Sequence, residues 1–183
     1  MGIDFDSFRY FDIKGLDASV FQHLEAGGYN LIEPLDTIDF RDHTGIYLYY
    51  QADYHAVNFS APQSWLDLMP KTMACSFIGG FDGSKTEKLV GLTVTTLNDF
   101  DETHPANSSI NDLLEVQIET FETDVIPLTE FLDNQLETIK KQALQLNLIK
   151  APTEDREFHF KAEVMLSTGE NYEVESSPVY FGG

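Results

Sequence analysis

The chain has a single cysteine, Cys75, in 183 residues. No internal disulfide is available, and because Cys75 lies in the apolar run TMACSFI, it is expected to act as a small buried hydrophobe in a reducing compartment. No apolar run approaches the ~18 residues of a membrane-spanning helix. The start, MGIDFDSFRY, carries Asp4 and Asp6 where a secretory signal needs a cationic start and an apolar stretch. These absences predict a soluble, cytoplasmic protein, and without a secretory signal the sequons NFS and NSS carry no weight.

Cations are also scarce. Eleven Lys and Arg stand against 31 Asp and Glu, a formal charge of −20, whereas a small soluble domain is comfortable with a magnitude of about 2 to 8. Such an excess costs stability through self-repulsion and excludes direct contact with nucleic acid or anionic membrane, which need clustered cations.

Catalytic signatures are missing as well. There is no G-x-S-x-G, and the histidines at 23, 43, 55, 104 and 159 show no H-x-x-x-H or C-x-x-C spacing, so no metal or other cofactor is expected. DFDETH offers Asp99, Asp101 and Glu102 but lacks the glycine and distal glutamate of a calcium loop. The one near-match is IGGFDGSKTEKLVG (78–91), where Gly79 precedes Lys85 and Thr86 by the spacing of a phosphate-binding loop. Ser84 occupies the position of the second glycine. Because the following KLVGLTVTTL reads as a strand rather than a helix, the expectation is a hairpin tip between 72–78 and 88–97.

What is present is a packed globule: 42% hydrophobic and 13% aromatic residues, with 14 Phe and 8 Tyr. Leu16, Val20, Phe21 and Leu24 recur at spacings of three and four, which predicts a short helix over 16–26, stopped by Gly27 and Gly28. TGIYLYY (44–50) and YHAVNFS (54–60) predict a hairpin about QAD, and PQSWLDLMP (62–70) a single helical turn. LLEVQIETF (113–121) alternates as a strand with one wet face. The stripe Leu128, Phe131, Leu132, Gln135, Leu136, Ile139, Ala143 and Leu146 predicts a long helix over 126–149. FHFKAEVML and YEVESSPVYF about STGEN predict a C-terminal antiparallel hairpin. No repeat or linker divides the chain. The expected fold is a single α+β domain over residues 1–183, a mainly antiparallel sheet with one long and one short helix packed on it.

One charge pattern stands out. Between Lys88 and Lys140 there is no Lys or Arg, while the interval holds Asp99, Asp101, Glu102, Asp112, Glu115, Glu119, Glu122, Asp124, Glu130, Asp133 and Glu137. Glu115 and Glu119 fall on the wet strand face, and Glu130, Asp133 and Glu137 on one helical ridge, where like charges cost a few tenths of a kcal/mol each. The expectation is a non-enzymatic binding or inhibitor protein that presents carboxylates, as phosphates would be, to a nuclease or other basic nucleic-acid-handling protein, in the manner of phage anti-defence or toxin-immunity proteins. Asp112 apart, those ten residues are its expected contact set. The competing reading is a merely solvated acidic face. Two other functions compete: a structural or assembly subunit of a virion or secretion machine, able to form homo-oligomers, and a small-molecule binder or enzyme with an aromatic pocket built from Tyr47, Tyr49, Tyr50 and Trp65.

Overall fold

Period two, not 3.6, governs nearly every element. The computed structural model describes residues 9–24, 28–40, 44–56, 83–117, 125–134, 138–154 and 156–182. Of these, 58% lie in strands and 8% are helical, with one helix of seven residues. The expected α+β fold with one long and one short helix is therefore overturned in favour of a sheet-rich one.

Two long strands form the spine. β1 (Arg9–His23) and β4 (Thr44–Ala56) pair antiparallel from Arg9↔Ala56 to Gln22↔Thr44. β2 (Tyr29–Leu31) lies outside β1, and β8 (Ala143–Leu148), β6 (Leu114–Gln117) and β7 (Val125–Pro127) follow on the far side of β4, so the order is β2-β1-β4-β8-β6-β7. A second sheet, β11-β10-β5, joins Asn171–Glu175, Phe160–Leu166 and Leu89–Thr96. A third sets β12 (Val179–Gly182) between β3 (Thr37–Asp39) and β9 (Glu157–Phe158), with β3 and β12 parallel. Ile46, Leu48 and Tyr50 of β4, Leu146 and Leu148 of β8, and Phe160, Ala162, Val164 and Leu166 of β10 point inward at alternate positions. With Phe158, Val179 and Phe181 they join one hydrophobic cluster shared by all three sheets.

The helix expected over 16–26 is the end of β1. A bulge between Ile13 and Gly15 switches the inward parity from Phe11 and Ile13 to Leu16 and Val20. Phe21 then turns to the opposite face, where it is fully buried beneath His23, Tyr29 and Tyr47 in edge-on contacts. Apolar residues on both faces around a parity switch imitate a spacing of three and four.

The long helix over 126–149 is also overturned. Among the described residues of that segment, only α1 (Leu128–Asn134) is helical, seating Leu128 in the core. ALQLNL runs as β8 between β4 and β6, with Leu144, Leu146 and Leu148 alternating against Gln145 and Asn147. Pairing on both edges decides the outcome, because it satisfies the backbone groups of β8 that a helix would have satisfied internally. No hairpin forms about QAD: β4 runs straight through 51–53, and residues 57–60 lie outside the described set. The wet-faced strand appears over 114–117. The C-terminal hairpin forms as β10 and β11 about Gly169 (φ 99°), but VYFG leaves it for the third sheet. The turn expected at 62–70 and the strand at 72–78 lie outside the described residues.

The phosphate-loop look-alike is a structural clasp. No helix follows Lys85; the chain enters β5, and the Lys85 ammonium lies 5.1 Å over the Tyr10 ring. Ser84 and Glu87 bond reciprocally: the Ser84 hydroxyl donates to Glu87 Oε2 at 2.7 Å and accepts the Glu87 N–H at 3.0 Å. The Ile13 N–H, on the same edge of β1 as the Phe11 N–H that bonds to the Gly83 carbonyl, donates to both Glu87 oxygens at 3.1 Å, and the Tyr172 hydroxyl donates to the Ile13 carbonyl at 2.8 Å. Both backbone groups of Ile13 are thus satisfied by side chains from distant strands or turns.

Candidate functional site

Of the ten nominated carboxylates, Glu119, Glu122, Asp124 and Glu137 lie outside the described residues. The other six stand on three elements: the loop after β5, β6 and α1. Glu130 and Asp133 stand exposed on α1, Glu115 is half-buried in β6, and Glu102 is exposed on the loop after β5. Asp99 binds within that loop, accepting the Ala106 N–H at 2.7 Å.

Asp101 is already matched. It is 8% exposed, and Lys150 Nζ approaches its Oδ2 to 2.7 Å. The Thr103 N–H and hydroxyl donate to its Oδ1 at 2.8 and 2.7 Å. His104 Nδ1 lies 2.8 Å from the same oxygen, and its Nε2 is 3.1 Å from both oxygens of Asp112. The Lys150 ammonium, followed by Thr103 and His104, holds the Asp101 carboxyl well below the usual carboxylate range against the opposing effect of burial. A group whose value is depressed on folding stabilises the fold above its unfolded value, near 4, and withdraws that stability as the pH falls. Lys150→Met is therefore expected to lower stability at neutral pH, with the gap to wild type narrowing below about pH 4. Urea unfolding at both pH values checks this.

A further group of carboxylates lies on the outer face of β5, β10 and β11. Glu163 stands directly across from Glu173, and Lys161 across from Glu175. Lys161 Nζ reaches Glu163 at 2.7 Å and Glu173 at 3.6 Å, and His159 Nε2 lies 3.0 Å from Glu175. Lys161 holds the Glu163 carboxyl below its usual range, and Glu163 in turn raises the lysine. Gly91 leaves a dent in this face, a concavity of about 450 Å³ lined also by Thr93, Met165 and Tyr172. The signal for these glutamates was the alternation in KAEVML and YEVE, where Glu163, Glu173 and Glu175 take the wet positions. A search for intervals free of cations passes over them because Lys161 sits in their midst.

The surface charge is not balanced by cations from elsewhere in the chain. Among the described residues fifteen Asp and Glu are exposed against six Lys and Arg. The carboxylates occupy several faces: Asp17 and Asp53 on the large sheet, Glu130 and Asp133 on α1, and the three glutamates on the small sheet.

The expected aromatic pocket is corrected in its membership. Tyr50 points into the core at 2% exposure, where burial pushes its hydroxyl value up, and Trp65 lies outside the described residues. Tyr47 and Tyr49 do face outward and are joined by Tyr29 of β2. The Tyr29 and Tyr47 rings lie 5.1 Å apart at 30° with their hydroxyls 3.1 Å from each other. Gln142 donates to the Tyr49 hydroxyl at 2.5 Å and accepts from the Tyr54 hydroxyl.

Among the described residues no group of three or more His, Cys, Asp or Glu is placed to hold a metal ion, and no helix is long and apolar enough to cross a membrane. No family model, curated protein or solved structure matches the chain.

Proposed function

We propose that the protein is a non-enzymatic binding protein that docks against a positively charged surface of a partner, of the kind that otherwise holds nucleic acid. The observation that supports this reading is the outer face of β5, β10 and β11. Like charges directly opposite on neighbouring strands destabilise a sheet, yet Glu163 faces Glu173 with a single lysine between them. Lys161 offsets one of the three glutamate charges on this face, and a cationic partner surface would meet the excess that remains. The exposed pair Glu130 and Asp133 on α1 extends the negative field, which steers encounter rather than adding much affinity.

Competition tests the reading. The protein is expected to displace duplex DNA from basic DNA-binding proteins and nucleases at about 50 mM salt and to lose that ability toward about 200 mM. The charge reversal Glu163→Lys, Glu173→Lys and Glu175→Lys is expected to abolish displacement; it sets lysine opposite lysine across β10 and β11, so the melting temperature falls while circular dichroism shows the fold retained. Displacement that survives both the salt and the triple substitution contradicts it.

A further inference from the structure

On the outer face of the large sheet, Asp17, Ser19, Tyr29, Leu31, Tyr47 and Tyr49 line a groove of about 350 Å³. The groove follows from register. Asp17 pairs with Tyr49 and Ser19 with Tyr47 across β1 and β4, so two short side chains on β1 run alongside two large ones on β4. Leu31, opposite Phe21, closes the other side from β2.

We infer that this groove receives the guanidinium of an arginine side chain on a protein partner. The inference rests on the basic-partner reading for the source of the arginine, but it concerns a different face of the molecule. Three observations carry it. First, the tyrosine hydroxyls are occupied by one another and by Gln142, so the rings are fixed and what they offer a ligand is their π faces. Burial, aided by the Tyr29 hydroxyl, pushes the Tyr47 value up, which keeps that ring neutral. Secondly, the Gln51 amide donates to both Asp17 oxygens at 2.9 Å, which aims the carboxylate without neutralising it. Thirdly, an aromatic face beside a fixed carboxylate suits a planar cation, which stacks on the ring and presents N–H groups to the oxygens. A sugar would find few groups to bond beyond Asp17 and Ser19.

The probe is a capped Gly-Arg-Gly peptide, with its citrulline counterpart as the neutral isostere and glucose as the polar control, followed by the ring signals of Tyr29, Tyr47 and Tyr49 in NMR titrations of the whole chain. The arginine peptide is expected to move these signals with a Kd of about 1 mM, and the citrulline peptide and glucose to leave them in place. Asp17→Asn and Tyr49→Leu are each expected to weaken binding about three- to fivefold, and Tyr49→Phe to change it by less than about twofold. Equal binding of citrulline and arginine, or ring shifts with glucose alone, overturns the inference. A basic protein whose binding survives Asp17→Asn combined with Tyr49→Leu, yet is lost on reversing Glu163, Glu173 and Glu175, overturns it while leaving the proposed function standing. An arginine peptide seated in the groove while no basic protein binds supports the inference and removes the proposed function.

Discussion

Glu87→Ala is expected to lower the unfolding free energy by about 3 kcal/mol, measured by urea denaturation. The carboxylate is 5% exposed and accepts from the Ile13 N–H and the Ser84 hydroxyl. Deleting it strands a backbone donor on the edge of β1 that faces away from β4, the edge on which the Phe11 N–H bonds to the Gly83 carbonyl. A buried unsatisfied donor costs about 1 to 3 kcal/mol, and the bonds to a charged acceptor are lost as well. Glu87→Gln keeps an acceptor of the same shape and is expected to lose about 1 kcal/mol. An alanine variant as stable as wild type would show that the Ile13 N–H finds another acceptor.

A second substitution is expected to be more damaging. Gly45 of β4 is paired with Asn147 of β8, and a Cβ there would come 2.0 Å from the Leu146 carbonyl oxygen and 2.9 Å from the Asn147 Cα. Both atoms are backbone, so no side chain can swing aside. Gly45→Ala must push β4 and β8 apart at the centre of the six-stranded sheet, and a loss above about 4 kcal/mol, or failure to fold, is expected. Gly91→Ala is the control: its Cβ would meet the Met165 Cβ at 3.4 Å, and a change below about 1 kcal/mol is expected. If circular-dichroism melts of the two variants agree, the tight packing of β4 against β8 is wrong.

These sites mark where sequence reading succeeds and stops. Uninterrupted alternation was legible: FKAEVML is β10, LEVQ is β6, and the turn at STGEN joins β10 to β11. Elements shaped by distant partners were not. The bulge at Ile13 becomes visible only beside β4 and Glu87, and without it Leu16, Val20 and Phe21 imitate a helix. The stripe from Leu128 to Leu146 runs through a real helical turn and then a real strand, and the alternation of ALQLNL was absorbed into the longer period. The mismatch between SKTE and a phosphate loop was readable from Ser84 and the strand-like residues after it; the clasp to Ile13 was not. For the candidate site, the negative charge was evident from composition. The glutamate patch on the small sheet depends on β10 and β11 setting Glu163 opposite Glu173, and the tyrosine groove depends on β2, β1 and β4 lying side by side.

The most direct test of the acidic docking face compares two charge reversals by isothermal titration calorimetry against one basic DNA-binding protein across a salt series. Reversing Glu163, Glu173 and Glu175 is expected to remove most of the affinity and flatten its salt dependence, whereas reversing Glu130 and Asp133 is expected to weaken binding by less than about tenfold and leave most of the slope. Equal affinities and slopes for wild type and the sheet-face variant would contradict the account.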